Sequence, residues 1–262
     1  MNYLVPGGYF FASRAKNIEK KIAFLIVYIL PILYLCAYFG RTNNYFAINF
    51  LLAYFCVMSL YEIGYIFNDV ITTKHEEYPN IRLSVSQHQK ITDNYKKLCW
   101  RKLIIACICL ALVYFFEAPY FFQFFFALII MMIFFFIHNK IRSRLNIITY
   151  FFLCNFKYIT FLSLFISMKD IVMPISIVNF CFVIIRTFEH SQKLKYNLRI
   201  DEWIKIDIGL QRVIYSGFIL ILATALFIAN FKFVPFVIVA LWLFTYRVIA
   251  YILNKRLLKK DT

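Results

Sequence analysis

Four residues in the first third of the chain have the types and spacing for phosphate or metal chemistry. Glu62, Asp69 and Glu76 recur every seven residues, and Asn68 stands beside the second. Seven residues is close to two helical turns, so a continuing helix sets the three carboxylates on one stripe. Oxygen ligands on one stripe at a helix end suit a hard cation such as Mg2+ that holds phosphate groups. Glu62 lies inside an apolar run, where a carboxylate is costly and turns to a polar cavity or a partner. The bland alternative is a helix end entering water, with Glu76 and Glu77 merely solvated.

A second group lies further along. Asn179, Arg186 and Lys193 are again spaced by seven, with Glu189 and His190 three and four beyond Arg186. On one helical face, an arginine with a lysine and a histidine below it could clamp phosphate oxygens. The alternative is snorkelling of long basic side chains to a membrane surface. Asn155 and Lys157 sit in the run Phe151–Tyr158. A lysine that deep requires a counter-charge or a wet cavity, and Glu62 or a ligand phosphate could supply it. Arg247 is a weaker case of the same kind.

The elements that position these groups follow from composition. The 262 residues are 63% hydrophobic, with a mean hydropathy of +0.72. That excess has to face something other than water. Runs long enough for a helical crossing fall at 22–40, 46–67, 102–118, 120–138, 147–167, 170–188, 213–230 and 232–253, each near the roughly 20 residues a bilayer requires. Glu117 with Pro119, and Lys169 with Asp170, mark turns inside the two closely spaced pairs. Strict alternation is missing, so helices are predicted rather than a barrel. The aromatic pair Phe10 and Phe11, followed by basic residues, predicts a short interfacial helix.

Net charge is +16, and its placement gives it a meaning. With the N-terminus inside, outer loops hold only Arg41, Lys169 and Lys232, and spans hold only Lys157 and Arg247. Every other lysine and arginine falls in inner segments, as the positive-inside rule describes. The basic balance therefore reads as topology and attraction to anionic lipid headgroups, and no nucleic-acid partner is expected. The seven cysteines form no Cys-x-x-Cys pair and read as small apolar packing residues. The first 21 residues do not have the pattern of a signal peptide. Phe and Tyr saturate every run, so they carry no functional evidence. Two long inner loops, 68–101 and 189–212, are separated by four crossings. They suggest a pseudo-repeat whose halves each give one polar loop.

At this point the sequence resembles the UbiA superfamily of intramembrane prenyltransferases. The family's first motif, Asn-Asp-x-x-Asp-x-x-x-Asp after the second helix, is matched by Asn68-Asp69-Val70-Ile71-Thr72-Thr73-Lys74-His75-Glu76, with Thr72 and Glu76 in place of the later aspartates. Its second acidic motif, after the sixth helix, is met by Arg186-Thr187-Phe188-Glu189-His190, and its polar link between helices four and five by Phe136–Asn146. A ninth helix, usual in the family, is not visible. The branch that transfers phosphoribose to polyprenyl phosphates is similar at Asp201–Leu210 and at Pro79 with Arg82.

The expectation is a single polytopic domain over 1–262: an all-α integral membrane bundle of about eight transmembrane helices, with two long cytoplasmic loops over a lateral, lipid-open cavity. The resemblance implies a transferase acting on an isoprenoid phosphate or diphosphate in a bacterial plasma (inner) membrane. Prenyl transfer to a small acceptor comes first, and phosphoribosyl transfer to a polyprenyl phosphate second. It implies Mg2+ on Asp69, Glu76 and Glu189, with Glu62, Asp69 and Glu189 catalytic. Asn68, Arg82, Asn155, Lys157, Arg186 and Lys193 are expected to bind substrate. A small-solute transporter using Glu62, Lys157 and Arg247 is the rival. The charge-poor outer loops, and the crowding of carboxylates at the two inner loops, weigh against it.

Overall fold

The computed structural model describes residues 3–75, 82–141, 143–193, 196–199 and 204–258. Described residues form helices and connecting turns, without strands. The chain divides into two compact units, Met1–Val172 and Met173–Thr262. Among the described residues, eight helices are long and apolar enough to cross a membrane, the number the apolar runs predict.

The first unit opens with a short helix, α1 (Gly8–Ser13). A short helix is thus present where one was expected, and its Tyr9, Ala12 and Ser13 are buried in protein. Five spanning helices follow: α2 (Ile18–Phe39), α3 (Phe46–Val70), α4 (Val85–Phe115), α5 (Phe121–Lys140) and α6 (Leu145–Phe165). Helix α2 contains one π-turn, Leu25–Ile29. Pro31 accounts for it, because its ring removes the hydrogen bond to the carbonyl of Val27 and crowds that carbonyl, so the ladder widens there.

Helix α3 packs along α4, and α5 along α6. A methyl group at Gly64 would lie 2.4 Å from the Phe135 ring, so only glycine lets α3 and α5 approach this closely. Asn139 Nδ2 then reaches the Gly64 carbonyl at 3.2 Å. Tyr9, Ile66, Val70, Leu83, Ile91 and Leu98 form a core that ties α1 to the polar ends of α3 and α4.

Helix α4 departs most from expectation. A crossing from residue 102 is predicted, and the helix begins at Val85. Ser84 caps it and its hydroxyl accepts from Gln87 N, while the Ser84 backbone N–H donates to Gln87 Oε1. This capping box starts a helix that hydropathy overlooks, because its first turns are rich in Gln, Lys, Asp and Asn. At 31 residues it is about 46 Å long, beyond the roughly 30 Å of a hydrocarbon core. Much of the supposed inner loop is thus the polar end of a spanning helix.

The second unit contains α7 (Val172–Ser191), α8 (Ile208–Ala229) and α9 (Val234–Leu258). Helix α7 holds a π-turn at Asn179–Val183. Asn179 Nδ2 donates to the Ile175 carbonyl at 3.1 Å, a bond that competes with the backbone ladder at that turn.

Candidate functional site

Glu62 is positioned by α3 and answered by α4. Lys102 Nζ lies 2.5 Å from Glu62 Oε2, with the two side chains 1% and 0% exposed. The same ammonium donates to the Val5 carbonyl at 2.6 Å, and the backbone N–H of Phe10 donates to Glu62 Oε1 at 2.8 Å. Two charges and two backbone groups of the N-terminal segment thus close a circle inside the first unit. Burial at this level is tolerated because each charge has an opposite charge and a further hydrogen bond.

Asp69 lies two turns further along the same face of α3 and meets the same N-terminal segment. Arg14 Nη1 donates to Oδ2 and Nη2 to Oδ1, both at 2.9 Å, in the fork geometry that matches a carboxylate. Tyr9 donates its hydroxyl to Oδ2 at 2.7 Å, Arg82 Nη1 donates to Oδ1 at 3.1 Å, and Asn68 Nδ2 donates to Oδ1 at 3.2 Å. His88 Nε2 meets the Asp69 carbonyl at 3.0 Å. The Arg14 guanidinium also stacks on Tyr65, 3.8 Å from the ring centre. Burial, followed by the charge of Asp69, pushes the Tyr9 phenol up, so it stays a donor. Burial opposes the charge on Arg14, but its charge and hydrogen-bond interactions with Asp69 outweigh that and hold the guanidinium above its ordinary value.

The second unit repeats this pattern. Glu189 accepts from Arg212 Nε at 2.5 Å and Nη2 at 2.8 Å, and from Arg186 Nη1 at 3.2 Å. Arg247 adds its charge to the field at Glu189. Beside this cluster His190 is held by the Tyr196 hydroxyl at 2.6 Å and by Lys193 Nζ at 2.9 Å. Each unit therefore ends one spanning helix in a carboxylate embraced by two arginines. The arginines bring one positive charge more than each carboxylate removes.

The expected stripe is found in part. Glu62 and Asp69 share a face, but α3 ends at Val70 and Thr72–His75 is a 3-10 turn, so the α-helix does not continue to residue 76. Glu76, like Glu77, Pro79 and the 201–203 stretch, lies outside the described residues. The second stripe is interrupted as well. A π-turn stands between Asn179 and Arg186, and α7 ends at Ser191 before Lys193, so seven residues are no longer two α-turns.

Lys157 is not the counter-charge of Glu62, which Lys102 supplies. Its Nζ lies 3.7 Å from the Tyr28 ring centre, 5.1 Å from Tyr61 and 5.5 Å from Phe24, an aromatic box suited to an ammonium. Asn155 is buried and donates back to the Phe151 carbonyl at 3.2 Å. The residues missed from sequence are Tyr9, Arg14, Lys102 and Arg212. The one available signal was the need of Glu62 for a cation, with Lys102 standing at the edge of the next apolar run.

The donor sets bear on the metal that the resemblance implies. Both oxygens of Asp69 are held by arginine, and so are both oxygens of Glu189; those of Glu62 are held by Lys102 and Phe10. A divalent cation at Asp69 would displace guanidinium groups and then sit beside them. Among the described residues, no three His, Cys, Asp or Glu side chains converge in a way that could hold a metal. The described carboxylates therefore do not fit a resident Mg2+. Compared with family models, with characterised proteins and with solved structures, the chain finds no match.

Proposed function

We propose that this protein is a membrane-embedded transferase acting on an isoprenoid phosphate or diphosphate, whose anionic head is received by arginines rather than by carboxylate-held metal. One observation carries the reading. At Asp69 and at Glu189, a carboxylate orients two guanidinium groups and leaves net positive charge at the end of a membrane-length helix. The fork that binds a carboxylate bidentately binds a phosphate in the same way. An arginine held in place by a carboxylate is already ordered, so little is lost on meeting the phosphate.

Within its own unit, Arg82 in the first and Arg186 in the second is the arginine placed to meet a phosphate first. Their side chains are 27% and 43% exposed, whereas that of Arg14 is 13% exposed. In a prenyl transfer, the carbon–oxygen bond to the diphosphate breaks as the acceptor's nucleophilic atom bonds to the released carbon. The acceptor's proton leaves to solvent, and fixed cations stabilise the charge that gathers on the departing diphosphate. Tyr9, which keeps its proton, holds Asp69 in place throughout.

Lipid mass spectrometry of cells with and without the protein tests this reading. Loss of one isoprenoid product, restored by the wild type and not by Arg82→Gln with Arg186→Gln, is expected. An unchanged isoprenoid profile overturns it.

A further inference from the structure

The first unit contains a cavity of about 420 Å³ that shares only Phe24 with the groups described above. This lies within the roughly 300–1,000 Å³ of ligand pockets. Phe11, Phe24 and Ile29 line it from α1 and α2, and Phe50, Leu51 and Tyr54 line it from α3. Lys21 alone brings a charge to it. From Lys21 to Ile29 is eight residues, about 12 Å along a helix. The crevice thus runs from the start of the span to its π-turn.

Three features select the occupant. Leu25 and Leu51 line the crevice and are about half exposed on membrane-length helices, so its open side faces where lipid chains lie. The walls are stiff: Phe24 packs against Phe10 at 4.7 Å and edge-on against Phe11 at 5.7 Å, and Phe50 is buried. Charge lies at one end only. Lys16, Lys20 and Lys21 are exposed there, and Glu19 is the single acid between residues 3 and 24. An apolar slot with a basic rim is complementary to one chain of an anionic amphiphile.

We infer that this crevice binds one chain of an anionic membrane lipid, with the lipid's phosphate on Lys21. The site is separate from the arginine clusters and does not depend on the transfer reaction. The lysines at the rim choose the headgroup, and the aromatic walls choose a single unbranched or isoprenoid chain over water. A basic residue at a membrane surface contributes about 1 kcal/mol toward an anionic headgroup, which corresponds to about a five-fold preference.

Native mass spectrometry of the full chain, released from nanodiscs containing equal phosphatidylcholine and phosphatidic acid of matched chains, tests the assignment. The wild type is expected to retain one phosphatidic acid about five-fold over phosphatidylcholine. Lys21→Gln should abolish that preference while a lipid is still retained. Leu51→Trp, which fills the slot, should lose both lipids at an unchanged melting temperature. If Leu51→Trp does not fold, Leu25→Trp probes the same wall from α2. Equal retention of the two lipids by the wild type overturns the inference, as does retention that survives filling of the slot. Displacement of the lipid by inorganic phosphate alone would show an anion site without a chain site, and would also overturn it.

Discussion

Lys102 of α4 and Glu62 of α3 form an ion pair from which water is excluded, with Nζ 2.5 Å from Oε2 and neither side chain more than 1% exposed. Such a pair is a weak source of net stability, because both charges have left water. Breaking it leaves one of them uncompensated. Lys102→Met is therefore expected to destabilise the first unit by about 3–5 kcal/mol. Lys102→Met with Glu62→Gln should recover most of the loss. Unfolding in detergent, followed by circular dichroism, gives the double-mutant cycle, and additive effects would refute the pairing.

Lys157 provides the contrast. Its box is Tyr28, Tyr61 and Phe24. Lys157→Met should therefore show no rescue by Glu62→Gln, since Glu62 has its own cation. Tyr28→Leu should weaken the effect of Lys157→Met, by an amount near the 0.5–2 kcal/mol of a cation–π contact. Coupling between Lys157 and Glu62 above roughly 1 kcal/mol would contradict the arrangement.

The two arginines of Asp69 differ in kind. Arg14 donates through both terminal nitrogens and stacks on Tyr65, whereas Arg82 donates through one. A lysine cannot reproduce the fork or the stacking. Arg14→Lys is expected to lower stability by about 1.5–3 kcal/mol, the range of a charged hydrogen bond, and Arg82→Lys by less. Equal thermal shifts for the two variants would remove the distinction drawn between anchor and receiver.

Orientation follows from the placement of basic residues. Lys90, Lys169 and Lys205 are all exposed, so cysteines there can be labelled without disturbing a contact. On a background without native cysteines, Lys90→Cys and Lys205→Cys should react only with reagent on the cytoplasmic side. Lys169→Cys should react only with reagent outside. The reverse pattern, or reaction of Lys90→Cys and Lys205→Cys from opposite sides, would overturn the topology.

The spans were legible because crossing a bilayer imposes a length and a hydropathy that eight runs meet, and Glu117 and Lys169 with Asp170 do mark turns. The start of α4 was not legible. A capping box outside the hydrocarbon leaves no apolar signature, and so Lys102 was read as an inner charge at the edge of a span rather than as a buried partner. The shared face of Glu62 and Asp69 could be read from their spacing. What covers that face could not, since Tyr9, Arg14 and the backbone N–H of Phe10 reach it from across 50 or more residues of chain. Spacing also failed at Asn179 and Arg186, because a π-turn changes the residues per turn without any composition of its own.

If arginines, and not a carboxylate-held metal, receive the phosphate of an isoprenoid lipid, binding of that phosphate needs no divalent cation. Binding of a short-chain prenyl diphosphate to the purified protein in nanodiscs, with and without EDTA, tests it most directly. Binding is expected to persist in EDTA and to fall at least ten-fold in Arg82→Gln with Arg186→Gln, the loss that follows when charged hydrogen bonds of about 1.5 kcal/mol or more are removed. Binding that EDTA abolishes and Mg2+ restores, with the arginine variants unaffected, would contradict it.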